Sequence, residues 1–220
     1  MPRLFVFDAY GTLFDVHAAV IPLRGEIGAQ TDRLSELWRQ KQLEYSWVRV
    51  LMGRYVDFWA ITEAALDYAA ARCGGLDPTT RQKLLTAYET LTPYPDARPT
   101  LARLKREGCA TAILSNATEA MVRGAVSAAG LGPVLDAVLS VDLLRTFKTD
   151  PRGYALVETQ FGTPPADVTF VSSNRCDIAG AAAFGFGTVW LNRGGMPDEY
   201  HDLPPTRIVA SLDALLDPEP

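Results

Sequence analysis

Residues Leu4-Phe5-Val6-Phe7 carry no polar side chain and run straight into Asp8. A short run of β-branched and aromatic residues without a polar member describes a strand covered on both faces, as in a parallel sheet. This feature constrains the chain most, because parallel strands need long crossovers and helices to cover both faces. Gly11, three residues after Asp8, permits a sharp turn. A carboxylate therefore stands at the carboxyl end of a buried strand, beside a tight loop, where open α/β sheets bind ligands. Taken alone, such an Asp reads first as a turn-capping residue. The downstream residues decide otherwise.

The sheet pattern does not resume at once. After a polar, glycine-containing stretch to about Asp32, Leu34, Leu37, Trp38, Tyr45, Val48, Leu51, Met52 and Tyr55 recur at three- and four-residue steps. That spacing predicts an amphipathic helix, interrupted or bent near Gly53. A second helical run over 56–72 stops at Gly74-Gly75. Asp77-Pro78 supplies an N-cap and a proline at the first helical position, for a helix to about Leu91. Residues 16–95 are read as a helical insert, and residues 1–15 with 96–220 as the body that it interrupts. In that body, strands over 109–114, 137–141, 168–171, 188–191 and 208–210 alternate with helices near 98–107, 119–130, 151–160, 178–184 and 212–216. The predicted fold class is α/β: a Rossmann-like parallel sheet core, built of right-handed βαβ units, with an inserted α-helical cap domain.

Apolar residues make up 48% of the 220 residues, ample for a core of this size. The net charge of −5 comes with no basic stripe, so no nucleic-acid partner is expected. Cys73, Cys109 and Cys176 form no CxxC pair, and His17 and His201 stand at no ligand spacing from them. Neither a disulfide framework nor a zinc site is expected. No signal core or 18-residue apolar run is present, which predicts a cytoplasmic protein with no membrane partner.

Polar groups fall at equivalent places along the predicted sheet. Asp8 follows the first strand, Ser115 and Asn116 the second, and Lys148 the third; Ser172, Asn174 and Asp177 follow the fourth. Each has an ordinary explanation as a cap, a solvated lysine or a helix-start charge. Together they sit at one sheet edge and can converge on one pocket. Nucleophilic attack by a carboxylate fits them. An Asp near its ordinary pKa of ~3.9 is ionised at neutral pH and needs no separate base. Lys148 would hold it charged, and Ser, Asn and backbone N–H groups would orient water and stabilise an oxyanion.

The motifs FDAYGTLFD at 7–15, LSN at 114–116, Lys148 and FVSSNxxD at 170–177 resemble the haloacid dehalogenase superfamily. The insert carries LWRQKQLEYSW at 37–47, which is similar to the cap of the type II L-2-haloacid dehalogenases. The resemblance implies hydrolysis of a small 2-halo acid without cofactor or metal. Asp8 would attack C2, Arg39 and Asn116 would take the halide, and Ser115 with backbone N–H groups would hold the substrate carboxylate. Lys148, Ser172, Asn174 and Asp177 would position Asp8 and the hydrolytic water, with Thr12 and Tyr154 beside them. Ala9, Tyr10, Gln40, Leu43, Phe58 and Cys176 would complete the substrate pocket, and the cap helices would pair two copies into a homodimer.

Two other readings stay open on the sequence alone. A small-molecule phosphatase of the same superfamily would carry a second Asp where this chain has Tyr10. A phospho-accepting receiver or binding module would supply paired acids and no helical insert. The sequence also departs from the dehalogenase pattern twice. Thr149 follows Lys148 where Pro is usual, which is expected to alter only loop stiffness. Cys176 stands where close relatives carry Trp, which leaves the pocket shape open; Arg175 beside it could fold inward and refill the space.

Overall fold

The computed structural model describes residues 3–216. Six parallel strands form one sheet in the order β3-β2-β1-β4-β5-β6. They are β1 (Leu4–Phe7), β2 (Ala110–Ser115), β3 (Ala137–Ser140), β4 (Val168–Ser172), β5 (Gly187–Leu191) and β6 (Arg207–Val209). The apolar run that opens the chain takes the interior position, with Phe7 paired to Ile113 on one side and to Val171 on the other. Because successive strand residues point to opposite faces, Phe5 and Phe7 enter one apolar cluster and Leu4 and Val6 the other. That is why the run has no place for a polar side chain.

Between β1 and α5 (Ala97–Arg106) the chain forms only helices and turns: α1 (Arg24–Ile27), α2 (Thr31–Leu51), α3 (Phe58–Arg72) and α4 (Pro78–Glu89). The outgoing and returning segments pair side by side, Asp15 N–H donating to Thr92 O at 3.0 Å and Tyr94 N–H to Leu13 O at 2.8 Å. Trp38, Phe58 and Tyr88 of these helices pack into the same cluster as Phe5 and Phe7. The cap thus shares a core with one face of the sheet, each fully buried large side chain contributing roughly 1.5–3 kcal/mol. The other crossovers are α6 (Glu119–Ala128), α7 (Pro151–Phe161) and α8 (Arg175–Phe184).

The two Asp-Pro signatures act as expected. Asp77 accepts from Thr79 N–H and Thr80 N–H, and Asp150 from Arg152 N–H. Elsewhere the structure corrects the reading. Residues 16–30 are not simply polar: Val16, Ala19, Val20 and Leu23 are buried. Of the two expectations at Gly53, interruption and not a bend is what occurs. The helix ends at Leu51, Gly53 takes a positive φ of 66°, and Tyr55 lies in the link before Asp57 caps α3. The last predicted helix is a single 3-10 turn, Asp213–Leu216. No helix among the described residues is long and apolar enough to cross a membrane.

Candidate active site

Asp8 extends β1 by one ladder bond, its N–H donating to Val171 O at 2.9 Å. Its carboxylate lies at the carboxyl edge of the sheet and is 7% exposed. The two oxygens are treated differently. Oδ2 accepts from Thr12 Oγ1 at 3.1 Å, from Asn174 Nδ2 at 2.9 Å and, more weakly, from Ser172 Oγ at 3.5 Å. Among the described residues, Oδ1 accepts only from Lys148 Nζ, at 2.9 Å.

Lys148 is buried and uses all three donors: on Asp8, on Leu114 O at 2.9 Å, and on Asp177 Oδ2 at 2.7 Å. Burial alone would pull the ammonium down, but the attraction of Asp177 and Asp8 outweighs it and its pKa is raised. Burial pushes the Asp177 carboxyl up, against the pull of Lys148. Tyr154, fully buried under α8, donates to Asp177 Oδ1 at 2.7 Å and so fixes that carboxylate from below. Gly180 makes this possible, since a Cβ there would stand 2.5 Å from the Tyr154 hydroxyl.

The loops after the strands are organised by the same side chains. Ser115 Oγ accepts from Ala117 N–H at 3.1 Å, and Asn116 Oδ1 accepts from Lys148 N–H at 2.7 Å. Ser172 Oγ accepts from Asn174 N–H at 3.1 Å. From the cap, Arg39 on α2 reaches across and donates to Tyr10 O at 2.9 Å and Asn174 Oδ1 at 3.3 Å. These groups meet at a cleft of about 400 Å³, measured out to its mouth. Asp8, Tyr10, Arg39, Leu43, Phe58, Ser115, Asn116, Lys148, Asn174, Cys176 and Asp177 line it.

Not every expected residue reaches the cleft. Thr12, Ser172 and Tyr154 lie behind it and act on the carboxylates. Ala9 is fully buried, its carbonyl accepting from Leu13 and Phe14 N–H. Gln40 is exposed and is not at the cleft. The reason is helix phase: Arg39, Leu43 and Trp47 are spaced by four residues on the inward face of α2, and Gln40 is turned about 100° away from Arg39. Trp47, Ala117 and Thr149 line the cleft although no chemical signal singles them out; the four-residue step from Leu43 would have found Trp47. The Lys148–Thr149 peptide bond is cis.

Arg175 does not fold inward. Its Nε donates to Asp198 Oδ1 at 2.6 Å, and one terminal nitrogen donates to Tyr200 O and Leu203 O at 3.1 and 2.9 Å. Cys176 therefore faces the cleft without it. Burial, reinforced by Asp177, pushes the Cys176 thiol up to about 12. Tyr10 stacks on Tyr88 at 5.6 Å, and its buried hydroxyl has no hydrogen-bond partner among the described residues. Burial, with Tyr88 next to it, pushes that phenol far above its ordinary range.

A family model for haloacid dehalogenase-like hydrolases matches residues 2–185. The chain is 50% identical, over 97% of its length and 94% of the relative's, to (S)-2-haloacid dehalogenase 1 of Pseudomonas sp. (strain CBS-3). It is 48% identical, over 97% and 93% of the two chains, to (S)-2-haloacid dehalogenase 4A of Burkholderia cepacia. It superposes with a TM-score of 0.89 on L-2-haloacid dehalogenase from Xanthobacter autotrophicus with chloropropionic acid covalently bound. That pair is 40% identical and covers 98% of this chain and 97% of the other.

Proposed function

The chain belongs to the haloacid dehalogenase-like hydrolases, and we propose on that footing that it converts L-2-haloalkanoic acids to D-2-hydroxy acids through an ester on Asp8. The observation that carries this reading is the unequal treatment of the Asp8 oxygens. Oδ2 is occupied by Thr12 and Asn174, whereas Oδ1 has one partner, Lys148, and keeps a lone pair. Oδ1 attacks C2 from the side opposite the halogen, forms the C–O bond and releases halide with the bonding pair. The guanidinium of Arg39 and the amide Nδ2 of Asn116 receive the halide; a permanent cation suits a leaving anion. The hydroxyl of Ser115, whose oxygen already accepts from Ala117 N–H, donates a hydrogen bond to the substrate carboxylate. Water then adds at the Asp8 carbonyl carbon with Ser172 and Asn174 on the oxyanion side at Oδ2; the adduct collapses by breaking the Cγ–Oδ1 bond, one water proton goes to the departing alkoxide and the other to solvent, and the C2–O bond survives into the product. The Lys148–Asp177–Tyr154 array keeps the nucleophile in place through both steps.

Phosphoryl chemistry is served poorly. Where a second acid would stand, Tyr10 is buried with a phenol too weakly acidic to give or take a proton near neutral pH. The same proposal divides the chain into a core of residues 1–15 and 96–220 and a cap of residues 16–95, which the paired linker segments support. It includes a cytoplasmic homodimer. The exposed Trp47, Val48, Leu51 and Met52 at the end of α2 support pairing through the cap, and the three free cysteines suit a reducing compartment.

The test is halide release from each enantiomer of 2-chloropropionate, with the product's configuration determined. The L acid should give D-lactate. In a single turnover in H₂¹⁸O, with enzyme in excess, the label should enter Asp8 and not the product. Retained configuration, label first in the hydroxyl, or an active Asp8→Ala variant would overturn the mechanism. Magnesium-dependent hydrolysis of p-nitrophenyl phosphate as the better reaction would favour the phosphatase.

A further inference from the structure

The catalytic cleft and a neighbouring groove share part of their walls. Trp47, Thr149 and Cys176 line both, and the groove runs outward beside α8. The groove measures about 1140 Å³ with its open side included, and its other walls include Pro151, Ala179, Phe184, Tyr200 and Leu203. From Cys176 to Phe184 it follows eight residues of helix, about 12 Å at 1.5 Å each.

Its outer wall is held in place. Arg175 donates to Tyr200 O and Leu203 O, and its guanidinium lies 5.6 Å from the Tyr200 ring centroid. The same bonds hold Arg175 away from the cleft side of Cys176. Cys176 itself, on the shared wall, is a small side chain whose thiol is only a weak donor.

We infer that the alkyl chain of a longer 2-halo acid leaves the cleft past Cys176 and lies in the groove beside α8, so that medium-chain 2-haloalkanoic acids are substrates. The occupant follows from the shared wall. A substrate with its carboxylate at Ser115 and its C2 at Asp8 has its third substituent directed to the remaining cleft wall. Cys176 and Trp47 stand at that wall, and an apolar chain passing them meets Ala179, Phe184 and Leu203. Each methylene that leaves water there raises affinity by at most about fourfold.

This inference rests on the dehalogenase reading, and 2-chloropropionate separates the two. If that acid releases no chloride, the activity itself fails. If it is turned over, the chain-length series decides the groove.

The experiment measures kcat and KM for L-2-chloropropionate, -butyrate, -hexanoate and -octanoate. Wild type, Cys176→Trp and Ala183→Trp are compared, each against its own value on propionate. Ala183 is exposed on the groove side of α8, so a large residue there fills the groove without entering the core. In wild type, kcat/KM should rise at least tenfold from propionate to octanoate, mainly through KM. Cys176→Trp should flatten or reverse the series from butyrate onward. Ala183→Trp should spare butyrate and depress octanoate by at least fivefold. A flat or falling wild-type series, or a rising series that both variants keep, would overturn the inference.

Discussion

Replacing Lys148 by Met removes the cation that stands between two buried carboxylates. Nζ is 2.9 Å from Asp8 Oδ1 and 2.7 Å from Asp177 Oδ2, with side-chain exposures of 3%, 7% and 6% for Lys148, Asp8 and Asp177. At an effective dielectric of about 20, each contact carries about 6 kcal/mol of gross attraction. Desolvation cancels much of this, and deleting one partner of such a pair costs about 3–5 kcal/mol net. The variant escapes part of that cost by protonating a carboxylate. The unfolded chain keeps its carboxylates ionised above their ordinary value of ~3.9. Between pH 5 and 7 the folded variant then holds one proton more than the unfolded chain. A carboxylate whose folded pKa is raised loses stability as pH climbs from the unfolded value to the folded one, by about 1.36 kcal/mol per unit. In wild type the raised Lys148 pKa leaves its charge complete throughout this window, since it is lost only above ~10.5, and its pull limits how far burial raises the Asp177 carboxyl, so the wild-type slope is the smaller one. Urea unfolding of both proteins at pH 5 and pH 7 should therefore show the deficit of Lys148→Met growing by up to about 2.7 kcal/mol at the higher pH. Adding Asp177→Asn should abolish that growth, because the second charge is gone. A deficit equal at the two pH values would refute the picture of a buried charged triad.

Three further outcomes are expected. Arg39→Lys cannot reproduce the guanidinium's contacts with Tyr10 O and Asn174 Oδ1, and kcat/KM on 2-chloropropionate should fall roughly 10- to 150-fold, the equivalent of a charge-assisted bond. Gly180→Ala would press a methyl group 2.8 Å from Thr149 Cβ and 2.5 Å from the Tyr154 hydroxyl. Calorimetry should show a loss of about 1–3 kcal/mol, and kcat should fall as Asp177 loses its phenolic donor. Asp77→Ala strips the N-terminus of α4 of its cap over Thr79 and Thr80 N–H; about 1 kcal/mol should be lost, a fall in Tm of about 2–4 °C, with kcat unaltered.

The site was legible wherever a residue's place follows from local chain geometry. Asp8 had to stand at a sheet edge because Leu4–Phe7 admits no polar group, and Ser115 and Ser172 likewise end their strands. The Asp-Pro caps are set within four residues and needed no tertiary information. What escaped depends on how one element is turned against another. Gln40 and Trp47 are both polar-capable or amphipathic residues of α2, and only the rotation of that helix over the sheet puts one in water and the other at the cleft. Residues 16–30 look polar in one dimension, yet the linker pairing at Asp15 and Thr92 folds Val16 and Val20 under the cap. Arg175 was ambiguous because its partners, Asp198, Tyr200 and Leu203, lie more than twenty residues away in a loop without periodicity.

Cys176 also bears on the lifetime of the catalyst. A 2-halo acid is an alkylating agent, and a thiolate is a stronger nucleophile toward carbon than a carboxylate. A reactive sulfur on the cleft wall would compete with Asp8 and form a thioether that water cannot reverse, so the catalyst would be consumed by its own feedstock. Burial, with the charge of Asp177 beside it, pushes the thiol up to about 12, which keeps the sulfur in its unreactive protonated form near neutral pH. Asp177 thus serves two ends: it anchors the lysine that pairs with Asp8, and, second to burial, its negative charge helps to keep the sulfur beside it protonated.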